Sequence, residues 1–390
     1  MKYLSVLFSG TKDSLLSPNH QQEAPFLTRL LTDGFSGKIQ VGTTLATQDD
    51  YVSILPILGY DPNRYYNGEG SLLAARAGVH LEKDDVAFCC DLVTLKHAQD
   101  GYFFSKFGPK ITLEHLIPDT VDDESGKELI REINEQLGTE SIVFYPVKNI
   151  SHLMVWVGGK TKIQTVSPEQ ISGKPISPYL PKGDGANILV RCMEVASQFL
   201  QQHPLNEERN VQNLAPVNGI WFSRPGRAME LETWEERYDL RGALIAEDGM
   251  IQGIGHLAGL NSIEISDTEE TPLIERCLAR VKGVIKSFGT EDFVFVHFSA
   301  GKNDHENIVQ TIDQSFVAPI VDHLEKSGDW KILFMESPPF GVFPRNMPYL
   351  PIDKQVTFLI TSSGLKKKTG VVLKEAFQLM PRFIKGGASE

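Results

Sequence analysis

The chain has 390 residues, more than one ordinary compact core, so two or three domains are expected. Hydrophobic residues make up 41%, charged residues 23% and aromatic residues 9%, globular values that exclude wholesale disorder. The 38 Lys and Arg against 50 Asp and Glu leave a net charge of -12, which denies nucleic acid a diffuse positive field; a local pocket can still take a small phosphorylated or anionic ligand.

The first apolar run, Lys2 to Phe8, is too short for a signal segment or a membrane span and reads as a buried strand. No later stretch reaches the roughly 18 apolar residues that a spanning helix needs, so a cytoplasmic protein without membrane contact is expected. Cys89 and Cys90 are adjacent, and Cys192 and Cys277 stand alone, which gives neither a zinc spacing nor a disulfide framework. Ala24 to Thr32 has helical periodicity and stops at Asp33-Gly34, and Gly37 to Val41 forms a second strand. Asp85 to Leu95 is strand-like, Ser125 to Leu137 is a charged amphipathic helix, and Ser141 to Val147 and Leu153 to Val157 are strands of a small α+β unit. The proline-rich stretch Ser167 to Lys182 reads as a return linker, followed by a helix over Ala186 to Gln202. Towards the C-terminus the pattern alternates again. Asp292 to Phe298 is a strand, Ile308 to Lys326 a helix, and Lys331 to Met335 and Val356 to Ile360 are strands. This alternation is the mark of an α/β sheet with crossover helices.

The turn Phe8-Ser9-Gly10-Thr11-Lys12-Asp13-Ser14 superficially resembles an SGGxDS phosphate loop, but Thr11 stands where the second glycine would let backbone approach phosphate. A simple strand-end turn is the plainer reading. A longer match begins at Ser53-Ile54-Leu55-Pro56-Ile57-Leu58-Gly59-Tyr60-Asp61-Pro62 and runs on through Gly68-Glu69-Gly70. It continues at Asp84-Asp85-Val86-Ala87-Phe88-Cys89-Cys90-Asp91-Leu92-Val93-Thr94, at Tyr238 to Ile245, at Gln252 to Leu260 and at Asp292 to His297. These segments, in this order, resemble the archaeal-type cofactor-independent phosphoglycerate mutases of the alkaline phosphatase superfamily.

The resemblance implies an α/β fold: an alkaline phosphatase-like core sheet flanked by helices, with an inserted smaller α+β cap domain. The core would be 1–76 with 172–390, and the cap 77–171. It also implies two divalent metals and a serine nucleophile, because paired cations ionise the hydroxyl and neutralise the transferring phosphoryl group. Ser9 stands where a metal-binding Asp is expected, and Asp50 at the position of the nucleophile. Asp304, His305 and Glu336 are the residues left that could ligate manganese or zinc. In the cap, Cys89 replaces an arginine, Asp91 an asparagine and Ser151 an arginine, while His152 matches a family histidine. His152, Arg224 and Arg241 are the candidates for substrate binding, and Gly59, Gly68 and Gly70 read as turns of the fold. The leading expectation is a divergent member without the standard two-metal serine chemistry and with no cofactor, acting as a ligand-binding or protein-partner-binding pseudoenzyme. The alternative is an active metal-dependent phosphomutase or phosphotransferase, of the isomerase class, on a different small phosphorylated substrate, with Asp50 as a carboxylate nucleophile.

Overall fold

The computed structural model describes residues 1–9, 14–20, 22–40, 50–102, 106–116, 121–147, 151–265, 271–299, 307–337, 355–363 and 375–386. Among these the strands in chain order are β1 (Lys2–Ser9), β2 (Phe35–Gln40), β3 (Val86–His97), β4 (Ile111–Leu116), β5 (Ile142–Tyr145) and β6 (Ser151–Trp156). They continue with β7 (Gly219–Arg227), β8 (Gly242–Ile245), β9 (Asn261–Ser262), β10 (Phe293–Ser299), β11 (Trp330–Ser337) and β12 (Gln355–Ser362). The chain divides into two compact units, Met1–Tyr66 with Glu230–Glu390, and Asn67–Met229.

The first unit holds a seven-stranded mixed sheet in the order β2-β12-β11-β1-β10-β8-β9. β1 is parallel to β10 on one side and β11 on the other, and β12 and β2 close one edge antiparallel. Strands buried on both faces must be apolar nearly throughout, which is why β1, β10 and β11 read as near-continuous hydrophobic runs, broken short of their carboxyl ends only by Ser5, His297 and Lys331. Phe8 anchors the packing, with its ring 6.0 Å from Phe298, 6.2 Å from Phe316 and 6.1 Å from Phe334.

The helix expected over Ile308 to Lys326 is interrupted. It runs as Ile308–Ile312, a π-helical turn Asp313–Val317, and Ala318–Ser327. Asp313 is fully buried in that wider turn, and its carboxylate accepts from the backbone N–H groups of Phe26 at 3.2 Å and Leu27 at 2.7 Å. Those amides open the helix Pro25–Asp33, whose own N-cap, Ala24, has no side-chain acceptor. Asp313 therefore caps a helix distant in sequence, and the extra residue of a π turn sits at that contact.

The second unit is a five-stranded antiparallel sheet with β3 as its spine. β6 and β4 pair along one edge of β3 and β7 along the other. The unit is wider than the 77–171 anticipated, because β7 and the helix Ala186–Leu200 share its core: Leu189, Met193 and Leu200 pack with Ile220 and Phe222. The proline-rich stretch is not a linker to the other unit. Leu113 N–H donates to Lys174 O at 3.1 Å and Ile176 N–H to Ile111 O at 2.9 Å, so it is an integral flank of β4.

The helix Glu69–Arg76 lies against β3 and β7, and glycine is what allows the approach. A Cβ on Gly70 would sit 2.3 Å from the Ala87 carbonyl oxygen, and one on Gly68, at φ +103°, 2.1 Å from that of Pro225. Both clashes are with backbone, which cannot rotate away. Gly70→Ala is expected to lower stability by about 1–3 kcal/mol, a loss read from denaturant unfolding.

Candidate functional site

In parallel α/β sheets, ligand chemistry gathers at the carboxyl ends of strands where the connections change direction. Here β1 is that position, flanked by β10 and β11. The register aligns three hydroxyls there, with Ser9 beside Ser299 on one neighbour and Ser337 on the other. Ser9 is buried, and its Oγ lies 2.9 Å from Nε2 of buried His297. Burial, and after it the guanidinium of Arg280, pushes the His297 pKa down to about 3, so the imidazole is neutral at pH 7.

Behind this pair the helix Leu273–Ser287 contributes Arg276 and Arg280, both with fully buried side chains. Their guanidinium carbons stand 5.2 and 4.6 Å from the Phe298 ring centroid. Glu247 Oε1 is 3.7 Å from Arg276 and 3.3 Å from Arg280, and it accepts from Ser299 N–H at 3.4 Å. Arg276 also donates to the Ser299 carbonyl.

The residues expected to ligate metal are distributed differently. Asp304 and His305 lie outside the described residues, and of Asp50 only the backbone, at the start of the single turn Asp50–Ser53, is described. Glu336 is turned to structure: it accepts from Ser14 Oγ at 2.6 Å, from Leu15 N–H, and from Leu16 N–H at 3.4 Å. Burial raises its pKa, against those bonds, which lower it. Among the described residues no three His, Cys, Asp or Glu side chains converge as a metal site. Ser9 is a neutral hydroxyl shared with His297, and the neighbouring charge acting on His297 is cationic. The described donors at this strand end, Ser9, His297 and Glu336, are by themselves not the ligand set of a pair of divalent cations; the other candidates, Asp304, His305 and the Asp50 side chain, lie outside the described residues.

Arg241 precedes β8, at the end of the sheet opposite Ser9, where its backbone pairs with Asp292 and Phe293. It is not part of the strand-end cluster. His152 is also displaced from its expected role. Its side chain is fully buried, its Nδ1 accepts from Val147 N–H at 3.1 Å, and burial lowers its pKa to about 4. It is a neutral core histidine of the second unit.

Arg224 does lie in a polar cluster, though an ion-paired one. It meets Glu69 at 3.2 Å and Glu169 at 2.9 Å, and occupies β7 with φ +48°. Beside it, fully buried Asp91 accepts from Ser151 Oγ at 2.5 Å and Ser223 Oγ at 3.0 Å. Burial pushes the Cys89 thiol well up, so it is not a reactive thiolate. The sequence carried no signal for the carboxylates at Glu69 and Glu169, which stand far from Asp91 in the chain. Nor did it show the Ser9 to His297 contact, because strand register decides it. Burial outweighs Arg224 and pushes Asp91 up to about 6. A carboxylate whose folded pKa exceeds its unfolded value adds stability as pH falls through the folded pKa. Melting curves of wild type and Asp91→Asn from pH 8 to 5 should therefore diverge, with the wild type gaining relative stability around pH 6 and below; a constant difference would rule out this coupling.

Comparison with known proteins follows the same lines. Residues 38–206 match the family model for 2,3-bisphosphoglycerate-independent phosphoglycerate mutase. A protein of Geobacter sulfurreducens described as a probable mutase of this kind is 28% identical over 391 residues, covering 95% of this chain and 93% of its own. The corresponding Methanosarcina mazei mutase is 30% identical over 312 residues, with 76% and 75% covered. The structure of the cofactor-independent phosphoglycerate mutase from Thermoplasma acidophilum superposes with a TM-score of 0.60 at 17% identity, over 99% of both chains, a likeness of fold. Among the described residues no helix is long and apolar enough to cross a membrane. A kinship this extensive in sequence, on a shared α/β framework, places the chain in the 2,3-bisphosphoglycerate-independent phosphoglycerate mutase family.

Proposed function

We propose that this chain is a phosphoryl-transfer enzyme acting on a small phosphorylated substrate other than phosphoglycerate. The observation that supports transfer is the extent of the kinship: relatives named as mutases align over three quarters or more of both chains. That favours an active member over one that has lost its chemistry. The different substrate is argued from Cys89, Asp91 and Ser151. They occupy places where the resemblance puts two arginines and an asparagine, so a clamp for an anionic carboxylate or phosphate is replaced by a thiol, a carboxylic acid and a hydroxyl.

One observation favours a second reading, binding of a ligand or protein partner without turnover. Ser9 pairs with His297, and Glu336 is held by the backbone of Leu15 and Leu16. Groups so engaged resemble a site closed into the core.

A panel of phosphomonoesters that includes 2- and 3-phosphoglycerate separates the readings. The expected result is phosphoryl release or transfer with at least one substrate, and no interconversion of the phosphoglycerates at the rate of about 1 per second or faster that ordinary enzymes reach. Ligand binding by calorimetry with no turnover anywhere in the panel would support the second reading instead. Metal linkage separates the readings further: manganese or zinc at about 100 times a micromolar Kd is expected to give a saturable stabilisation of roughly 2.7 kcal/mol, lost in Asp50→Asn, if the chain is an active metal-dependent enzyme, and its absence would support binding without turnover.

A further inference from the structure

We propose that Glu169 is an internal competitor for an anion site at Arg224: its carboxylate holds the guanidinium in the free chain and leaves it when the anionic group of a substrate binds there. The inference rests on the reading above that the substrate is a small phosphorylated molecule. It names the residue in the second unit that receives the anion and the residue that sets the threshold for its entry.

The backbone singles out Arg224. β7 pairs Ser223 with Cys89 and Gly226 with Ala87, so it spends one residue more than β3 over the same stretch, and Arg224 and Pro225 form a bulge there. Bulges re-aim a side chain away from the regular alternation of a strand. Within this one Arg224 has φ +48°. The other non-glycine residues with positive φ among those described are Asn213, Asp239 and Asn307, of the two types that adopt that region most readily. An arginine held there inside a strand is the exception, and strain of this kind gathers at ligand sites.

The two carboxylates on the guanidinium differ in what they can do. Glu69 meets Nε at 3.2 Å with a side chain only 5% exposed, on a helix packed against β3 and β7, and has no path away. Glu169 meets Nη2 at 2.9 Å from the single turn Pro168–Ile171, and its side chain is 40% exposed. Glu69 is therefore the fixed partner and Glu169 the exchangeable one. Glu169 is also incompletely satisfied: Oε1 accepts from Arg224, whereas Oε2 is buried without a hydrogen-bond partner. A carboxylate in that position has given up hydration that it regains on swinging out to solvent, which weakens its hold. Phosphate offers the same planar fork two oxygens side by side, the arrangement a guanidinium binds best. The guanidinium stays paired throughout, because one anion replaces another. Among the charged neighbours of Arg224, Glu169 acts on it most strongly, so an arriving anion meets this carboxylate first.

The test titrates inorganic phosphate into the full chain by calorimetry, comparing wild type with Glu169→Gln. The variant is expected to bind phosphate about 10-fold more tightly or better. Asp84→Asn removes the same charge from an exposed carboxylate beside Arg227 in the same unit, and should leave the affinity within about 2-fold of wild type. Adding Arg224→Met to Glu169→Gln should abolish the gain; if that double variant fails to fold, the two single variants decide. Equal affinity in wild type and Glu169→Gln, an equal gain in Asp84→Asn, a gain that survives the loss of Arg224, or no binding by Glu169→Gln at millimolar phosphate would each overturn the inference. Turnover in the phosphomonoester panel beside any of these results would leave phosphoryl transfer standing. A gain in Glu169→Gln with no turnover anywhere would keep the anion site and overturn the transfer reading alone.

Discussion

The structure depends on β1 being paired in parallel on both sides. A strand hydrogen-bonded to β10 and β11, and covered on both faces, must be largely apolar, and Ser5 is the one buried polar side chain of β1 before Ser9. The buried polar side chains of these three strands otherwise gather towards their carboxyl ends, at Ser9, His297, Glu336 and Ser337. Register then settles which side chains meet: a shift of one residue would turn Ser9 to the other face and break its contact with His297. The aromatic cluster around Phe8, one residue before Ser9, holds that register from the apolar side.

The second unit faces a different electrostatic problem. A single guanidinium, Arg224, is set against Glu69, Glu169 and Asp91, more negative charge than one cation can offset. The shortfall falls on Asp91, the most deeply buried of the three, whose ionisation becomes costly. Where the resemblance supplies an arginine-rich clamp, this chain has an arginine already satisfied by its own carboxylates. An anion would have to compete with them, and the proposal of a changed substrate rests on that competition.

Much of the fold was legible because it rests on local signals. The apolar runs of β1, β10 and β11 and the stop at Gly34 carry their own pattern, and family motifs extend it across the chain. What stayed hidden depends on partners far away in sequence. β7 contains Pro225 and two glycines and has no alternating pattern, yet it pairs along β3 for most of its length, so the extent of the second unit could not be read from the chain. The π turn at Asp313 is invisible because its cause, the uncapped amides of Phe26 and Leu27, lies near the other end of the sequence. At the candidate site the sequence identified Ser9 as a departure from the family pattern. That His297 sits against its hydroxyl is a product of register and burial, which composition and spacing do not encode.

The long reach of Asp313 also bears on the order in which the molecule can assemble. The second unit is contiguous, Asn67 to Met229, and all five of its strands find partners within that span, so it can close while the rest of the chain is still being synthesised. The first unit cannot. β1 emerges first but must wait for β10 and β11, and the helix Pro25–Asp33 receives its cap only after residue 313 has been made. Contacts this distant are slow to form and leave an apolar strand unpaired in the meantime. β1 and β2, whose partners β10, β11 and β12 are all made later, are thus the strands most exposed to misassociation during biosynthesis, and their protection from hydrogen exchange should appear after that of the second unit.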